Sequence, residues 1–80
     1  MGNGQMSVTI LDLKGLNCPL PVLRAKKAMA GLPAGAALQV LATDPGAVRD
    51  FEALCRNTGA TLEKLVEQGG VFVFDIRKSA

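Results

Sequence analysis

The chain has no histidine, no tryptophan and no tyrosine, and among its 80 residues only three are phenylalanine and two are cysteine. Each shortage removes a class of chemistry. Without histidine there is no Ser-His-Asp triad and no Cys-His pair. Histidine zinc sites are excluded as well, and two cysteines cannot build a four-cysteine site, so no metal centre is expected. So few aromatic rings leave little on which the bases of a single-stranded nucleic acid could stack. Charge is also in short supply: nine Lys and Arg against seven Asp and Glu leave a net charge of +2, too weak a field to imply direct nucleic-acid binding. No apolar run approaches the roughly 18 residues that cross a bilayer. No basic stretch followed by an apolar stretch opens the chain as a secretory signal would. A cytoplasmic protein without a membrane partner is therefore expected. In that compartment the two cysteines read as thiols rather than as a structural disulfide.

What is present is enough apolar surface for one core, since 49% of the residues are hydrophobic. The length fits one domain. Residues 1–7, small and polar with a second Met, read as a disordered start or an expression remnant. The domain proper is expected over 8–80. Residues 8–13 are rich in β-branched and apolar side chains and read as a strand with Thr9, Leu11 and Leu13 on one face. A helix follows from Pro19 to about Ala30, with Cys18 as its cap and Val22, Ala25, Met29 and Leu32 as its apolar stripe. Residues 37–43 are nearly all apolar, as in a well-covered central strand. Asp44-Pro45 repeats the cap-and-proline logic for a second helix to about Asn57, closed by Gly59 and facing inward through Val48, Phe51, Leu54 and Cys55. Residues 61–68 and 71–77 read as an edge strand and a last strand joined by a Gly69-Gly70 hairpin turn. The class is α+β in the order β-α-β-α-β-β. It implies a two-layer α/β sandwich with a four-stranded mixed sheet and both helices on one face. The two crossovers favour parallel neighbours.

One constellation carries chemistry: Cys18-Pro19-Leu20-Pro21 at the mouth of a helix. Thiolate is the reactive form of cysteine, and a helix N-terminus favours negative charge. Pro19 and Pro21 remove two of the first-turn N–H donors, so only a modest lowering of the Cys18 pKa is expected. The prolines also stiffen the turn and hold the sulfur out of the core. That suits a sulfur handed to a partner. Arg24, Lys26 and Lys27 follow on the same helix. Lys26 lies about 12 Å along the axis from Cys18 at the helical rise, too far for a direct ion pair. These three residues read either as a solvated face or as a patch that docks an acidic partner. Cys55 reads as inert core packing, with a resolving thiol for Cys18 as the alternative. Asp44 needs no role beyond a helix cap.

The chain resembles the TusA family of small sulfur carriers. The matching residues are Leu11-Asp12, Gly15-Leu16, Cys18-Pro19-Leu20-Pro21, Lys26-Lys27, Gly35, Asp44-Pro45-Gly46, Asp50, Phe51, Thr58-Gly59 and residues 74–78. The resemblance implies the two-layer sandwich seen in the C-terminal domain of initiation factor three. It implies that Cys18 accepts sulfur as a persulfide from a cysteine desulfurase or a rhodanese-like donor and relays it to an acceptor protein. The routes it implies are tRNA thiolation, cofactor sulfuration and sulfur oxidation. Exchange between sulfurs needs neither a metal nor an organic cofactor, and a carrier of this kind is a sulfurtransferase-type relay rather than a stand-alone enzyme. Two positions depart from the pattern. Ala60 stands where many members have His or another polar residue, and Leu20 stands where some tRNA-thiolating members have Glu.

Other readings compete. A non-catalytic interaction module would use an exposed sheet face. An RNA-binding domain is suggested by fold analogy alone. A selenium-related carrier would share the same cysteine.

Overall fold

The computed structural model describes residues 8–79, so the reading of residues 1–7 lies outside it. Strand β1 covers Val8–Asp12, helix α1 Leu20–Ala30, strand β2 Ala37–Ala42, helix α2 Ala47–Thr58, strand β3 Thr61–Gln68 and strand β4 Val71–Arg77. The class and the element order are those expected. The first two strands each end one residue early, and both helices begin later than the prolines suggested.

Alternation along the strands sets the two faces of the sheet. Leu38, Val40 and Ala42 of β2 are buried, whereas Ala37, Gln39 and Leu41 between them are half-buried. Register carries the buried face to the neighbours. Thr9 and Leu11 of β1 pair with Leu38 and Val40, and Ile76, Phe74 and Phe72 of β4 pair with Leu38, Val40 and Ala42. This face meets Ala25 and Met29 of α1 and Ala47, Phe51, Leu54 and Cys55 of α2 in one buried cluster. Both helices therefore cover the same side. At its centre Phe51 packs on Phe74, with ring centroids 4.6 Å apart and planes tilted by 34°. The opposite face stays open, with Val8 and Ile10 51% and 62% exposed.

The strand order is β1-β2-β4-β3. β1 and β2 are parallel neighbours, as the first crossover implies. The second crossover does not give neighbours: β4 lies between β2 and β3, antiparallel to both. The hairpin explains this. It keeps β3 and β4 side by side, and the more apolar of the two, with Phe72, Phe74 and Ile76, takes the covered interior position. β3 keeps the edge with Glu63, Lys64 and Glu67 exposed. A register shift between Leu62 and Lys64 sets Glu63 apart on that edge, where its Oε2 accepts from Arg77 Nε at 2.9 Å. Bulges of this kind blunt an edge against further pairing.

The turns follow their glycines. Gly69 and Gly70 have φ of 57° and 85°, the left-handed pair that a two-residue hairpin of right-handed twist requires. Gly59 ends α2 at φ 80°, as helix ends commonly do. Among the described residues no helix is long and apolar enough to cross a membrane.

Candidate functional site

Cys18 lies on the connection between β1 and α1, and that connection is fastened to the end of β2. Gly15 N–H donates to Thr43 Oγ1 at 2.9 Å, and Cys18 N–H donates to Asp44 Oδ2 at 2.7 Å. The other oxygen of Asp44 accepts from Gly46 N–H at 3.3 Å. Asp44 is thus not the cap of α2, which is Gly46. Its carboxylate bridges the start of one helix to the loop entering the other. Pro45 can follow it because proline has no N–H to place.

The cap of α1 is Pro19, and the helix starts at Leu20. Cys18 is one residue outside the cap position expected for it. Two N–H groups are missing at Pro19 and Pro21, and the Leu20 N–H already donates to Asn17 O at 2.9 Å. The α1 entrance therefore offers the sulfur little stabilisation as an anion. Pro21 is buried and anchors the first turn to the core, and the Cys18–Pro19 peptide is cis. Cys18 is exposed and its thiol is free.

The sulfur faces α2. The Cys18 thiol donates to Asp50 Oδ2 at 2.7 Å. An open cleft of about 660 Å³ surrounds the pair, lined by Cys18 with Pro45, Gly46, Val48, Arg49, Asp50 and Glu52. The Cys18 pKa is raised, not lowered. The hydrogen bond to Asp50 is the largest cause, followed by lost hydration and by the charges of Asp50 and Asp44. The expected lowering fails because the nearest full charges are carboxylates, and they outweigh a helix end that lacks two N–H donors and has a third occupied.

The other candidate residues are placed apart from the sulfur. Arg24, Lys26 and Lys27 are all exposed, and none of them lines the Cys18 cleft. Lys26 borders a separate groove between the helices, of about 230 Å³, with Met29, Leu54 and Lys78. Helical spacing sets Arg24 and Lys27 on the outer stripe with Leu20 and Leu23, which are 44% and 54% exposed. Cys55 is buried and free, and burial pushes its thiol pKa up. Among the described residues there is no group of three or more His, Cys, Asp or Glu that could hold a metal ion. Sequence reasoning missed the pairing of Cys18 with Asp50 and the presence of Arg49 and Glu52 beside it. These residues sit about 30 positions further along the chain, and only the parallel β1–β2 pairing brings them to the same end of the sheet.

Comparison with known proteins places the chain in a family. A family described as sulfurtransferase TusA matches residues 9–78. A sulfur carrier protein TusA from Allochromatium vinosum is 54% identical over 69 residues, spanning 86% of this chain and 91% of that protein. One from Pseudomonas putida strain F1 is 44% identical over 71 residues, 89% of each chain. The crystal structure of a SirA-like protein from Desulfitobacterium hafniense superposes with a TM-score of 0.80 at 29% identity, over 92% of this chain and all of that one. With the Cys-Pro-x-Pro turn in place and the match running from β1 through the end of β4, the chain belongs to the TusA sulfurtransferase family.

Proposed function

We propose that the protein is a cytoplasmic sulfur carrier that accepts sulfur as a persulfide on Cys18 and relays it to an acceptor protein. The observation that carries this reading is an exposed thiol on a turn fixed by Asp44, Pro19 and Pro21, open to a cleft wide enough for a partner's sulfur. The names of the relatives, sulfur carrier protein TusA, support the same role. The donor is a cysteine desulfurase or a rhodanese-like protein. Cys18 attacks the outer sulfur of the donor persulfide. A new S–S bond forms on Cys18, and the donor S–S bond breaks with its electron pair on the donor sulfur. The thiol proton of Cys18 passes to that donor sulfur, so no oxidant or reductant is consumed. The hand-off repeats the exchange with the acceptor thiolate as nucleophile. Only the thiolate attacks, so the raised Cys18 pKa disfavours attack by the free carrier. Arg24 and Lys27, with the exposed Leu20 and Leu23, give α1 a mixed basic and apolar surface for docking. Lys26 extends the basic surface toward the second groove.

The test is intact mass after incubation with a cysteine desulfurase and cysteine, beside the Cys18→Ser and Cys55→Ser variants. A gain of one sulfur atom that survives Cys55→Ser and vanishes in Cys18→Ser is expected. No gain from this donor or from a rhodanese-like one would turn the reading to an interaction module, for which the open sheet face around Val8 and Ile10 is the specific feature.

A further inference from the structure

Asp50 meets the Cys18 sulfur across 32 residues of chain, with the thiol donating to Oδ2 at 2.7 Å. Both partners are held by other bonds. The Cys18 backbone is tied to Asp44. Asp50 sits in the first turn of α2, its N–H donates to Gly46 O at 3.1 Å, and its neighbour Phe51 is fully buried. Two backbones anchored in this way bring the side chains within reach, and side-chain rotation makes or breaks the contact.

An empty Cys18 has a proton to give to this carboxylate. A loaded Cys18 does not: its inner sulfur carries no hydrogen, and the outer S–H of a persulfide is more acidic than a thiol and ionises to solvent near neutral pH. The oxygen that accepts from the empty carrier then faces an anion. Asp44 and Glu52 add negative charge at the same cleft, and Arg49 is the cation on its wall. On the α1 side Asn17, Pro19 and Leu20 carry no charge. We propose that Asp50 is a positioning residue that separates the two states of the carrier, holding the empty Cys18 as a docked thiol and turning the loaded persulfide outward. This rests on Cys18 being the persulfide site. It would keep the empty thiol protonated until a donor docks and would offer an acceptor a presented sulfur, with no movement of the backbone.

The test has two arms. In the first, iodoacetamide alkylation is followed from pH 6 to 10 on the Cys18 peptide by mass spectrometry. Asp50→Asn keeps the shape and removes the charge. It is expected to move the profile to lower pH and to speed alkylation several-fold near neutrality. Asp44→Asn, whose contact is with the backbone N–H, is expected to move it less. A merely structural role would leave the profile in place. In the second arm, the carboxyl ¹³C resonance of Asp50 is compared before and after loading the wild-type protein with a desulfurase and cysteine. It is expected to shift on loading, and by more than that of Glu52. Superimposable alkylation profiles, or an Asp50 resonance indifferent to loading, would overturn the proposal. Failure of Cys18 to gain sulfur at all would end the carrier reading and the loaded half with it. The alkylation profile would still decide whether Asp50 docks the thiol.

Discussion

Asp44 holds the backbone of Cys18 across 26 residues of chain: its Oδ2 accepts the Cys18 N–H at 2.7 Å while its Oδ1 accepts the Gly46 N–H at 3.3 Å. One half-buried carboxylate thereby fixes the Cys18 turn and the entrance of α2 to each other. Asp44→Ala removes both acceptors. Hydrogen bonds to a charged group contribute about 1.5–3 kcal/mol each when buried and less at a surface. A loss of about 1–2 kcal/mol in urea unfolding is expected, together with faster hydrogen exchange at the Cys18 amide. Exchange unchanged at that amide would mean the bond does not persist in solution.

The two thiols should behave differently toward a bulky disulfide reagent. Cys18 is exposed and Cys55 buried, so the folded protein should titrate one thiol and the unfolded protein two. Cys18→Ser should abolish the fast reaction with little change in stability. Two fast thiols in the folded state would contradict the packing of Cys55.

Burial of Cys55 also gives stability a pH dependence. Its folded pKa is raised, so above the unfolded thiol pKa of about 8.5 the unfolded chain binds fewer protons than the folded one. The slope of stability with pH is then negative. The contribution is complete below that pH and is lost as pH rises toward the folded pKa. Cys18, whose pKa is raised as well, acts in the same direction. Urea midpoints measured from pH 7 to 10 should fall, and the fall should be shallower in Cys55→Ala. A midpoint that rises over this range would show the sign to be wrong.

The Phe51–Phe74 pair ties α2 to the middle of the sheet. Both rings are fully buried. Truncating either to Ala is expected to cost about 3–5 kcal/mol, a large share of the roughly 5–10 kcal/mol available to a small domain. Thermal unfolding should show Phe74→Ala marginally folded or unfolded at 37 °C, with Phe74→Leu intermediate.

Gly59 ends α2 at φ 80°, where an added Cβ would meet Ser79 Oγ at an ordinary 3.6 Å. The cost of Gly59→Ala is therefore conformational, about 1–2 kcal/mol, and should appear in the urea midpoint without loss of the native spectrum. The same change at Gly31, whose φ is −90°, should be nearly silent.

Much of the fold is written locally. The hairpin is bounded correctly by Gly69-Gly70 because positive φ at two successive residues is a property of the turn itself. β4 is readable as an alternating run after it, with Phe72, Phe74 and Ile76 on one face, and β3 as a charged edge strand before it. The helix starts are less readable. Asp44-Pro45 and Cys18-Pro19 each look like a cap followed by proline, yet in both places the helix begins later, because the side chain that would cap is taken by a partner distant in sequence. The insertion of β4 beside β2 depends on which strand best fills the covered interior, and local pattern does not rank strands. The site divides in the same way. Cys18 and its two prolines are legible from the motif alone. Asp50 is legible only as part of a family pattern, and its contact with the sulfur, which reverses the expected direction of the thiol pKa, arises from the sheet bringing the β1–α1 loop and the first turn of α2 to one end.

The fastening of the Cys18 turn has a consequence for how cargo travels. On the proposed reading, a persulfide would add a single S–S bond of about 2.05 Å to a Cys18 side chain whose backbone is pinned by Asp44 and followed by two prolines. Such a carrier has no swinging arm. It cannot sweep its sulfur between distant active sites as a long flexible tether would, so each donor and acceptor must bring its own sulfur to within bonding reach of this one fixed point. Choice of route then lies in which proteins can seat themselves over the same small patch, and donor and acceptor must take turns there.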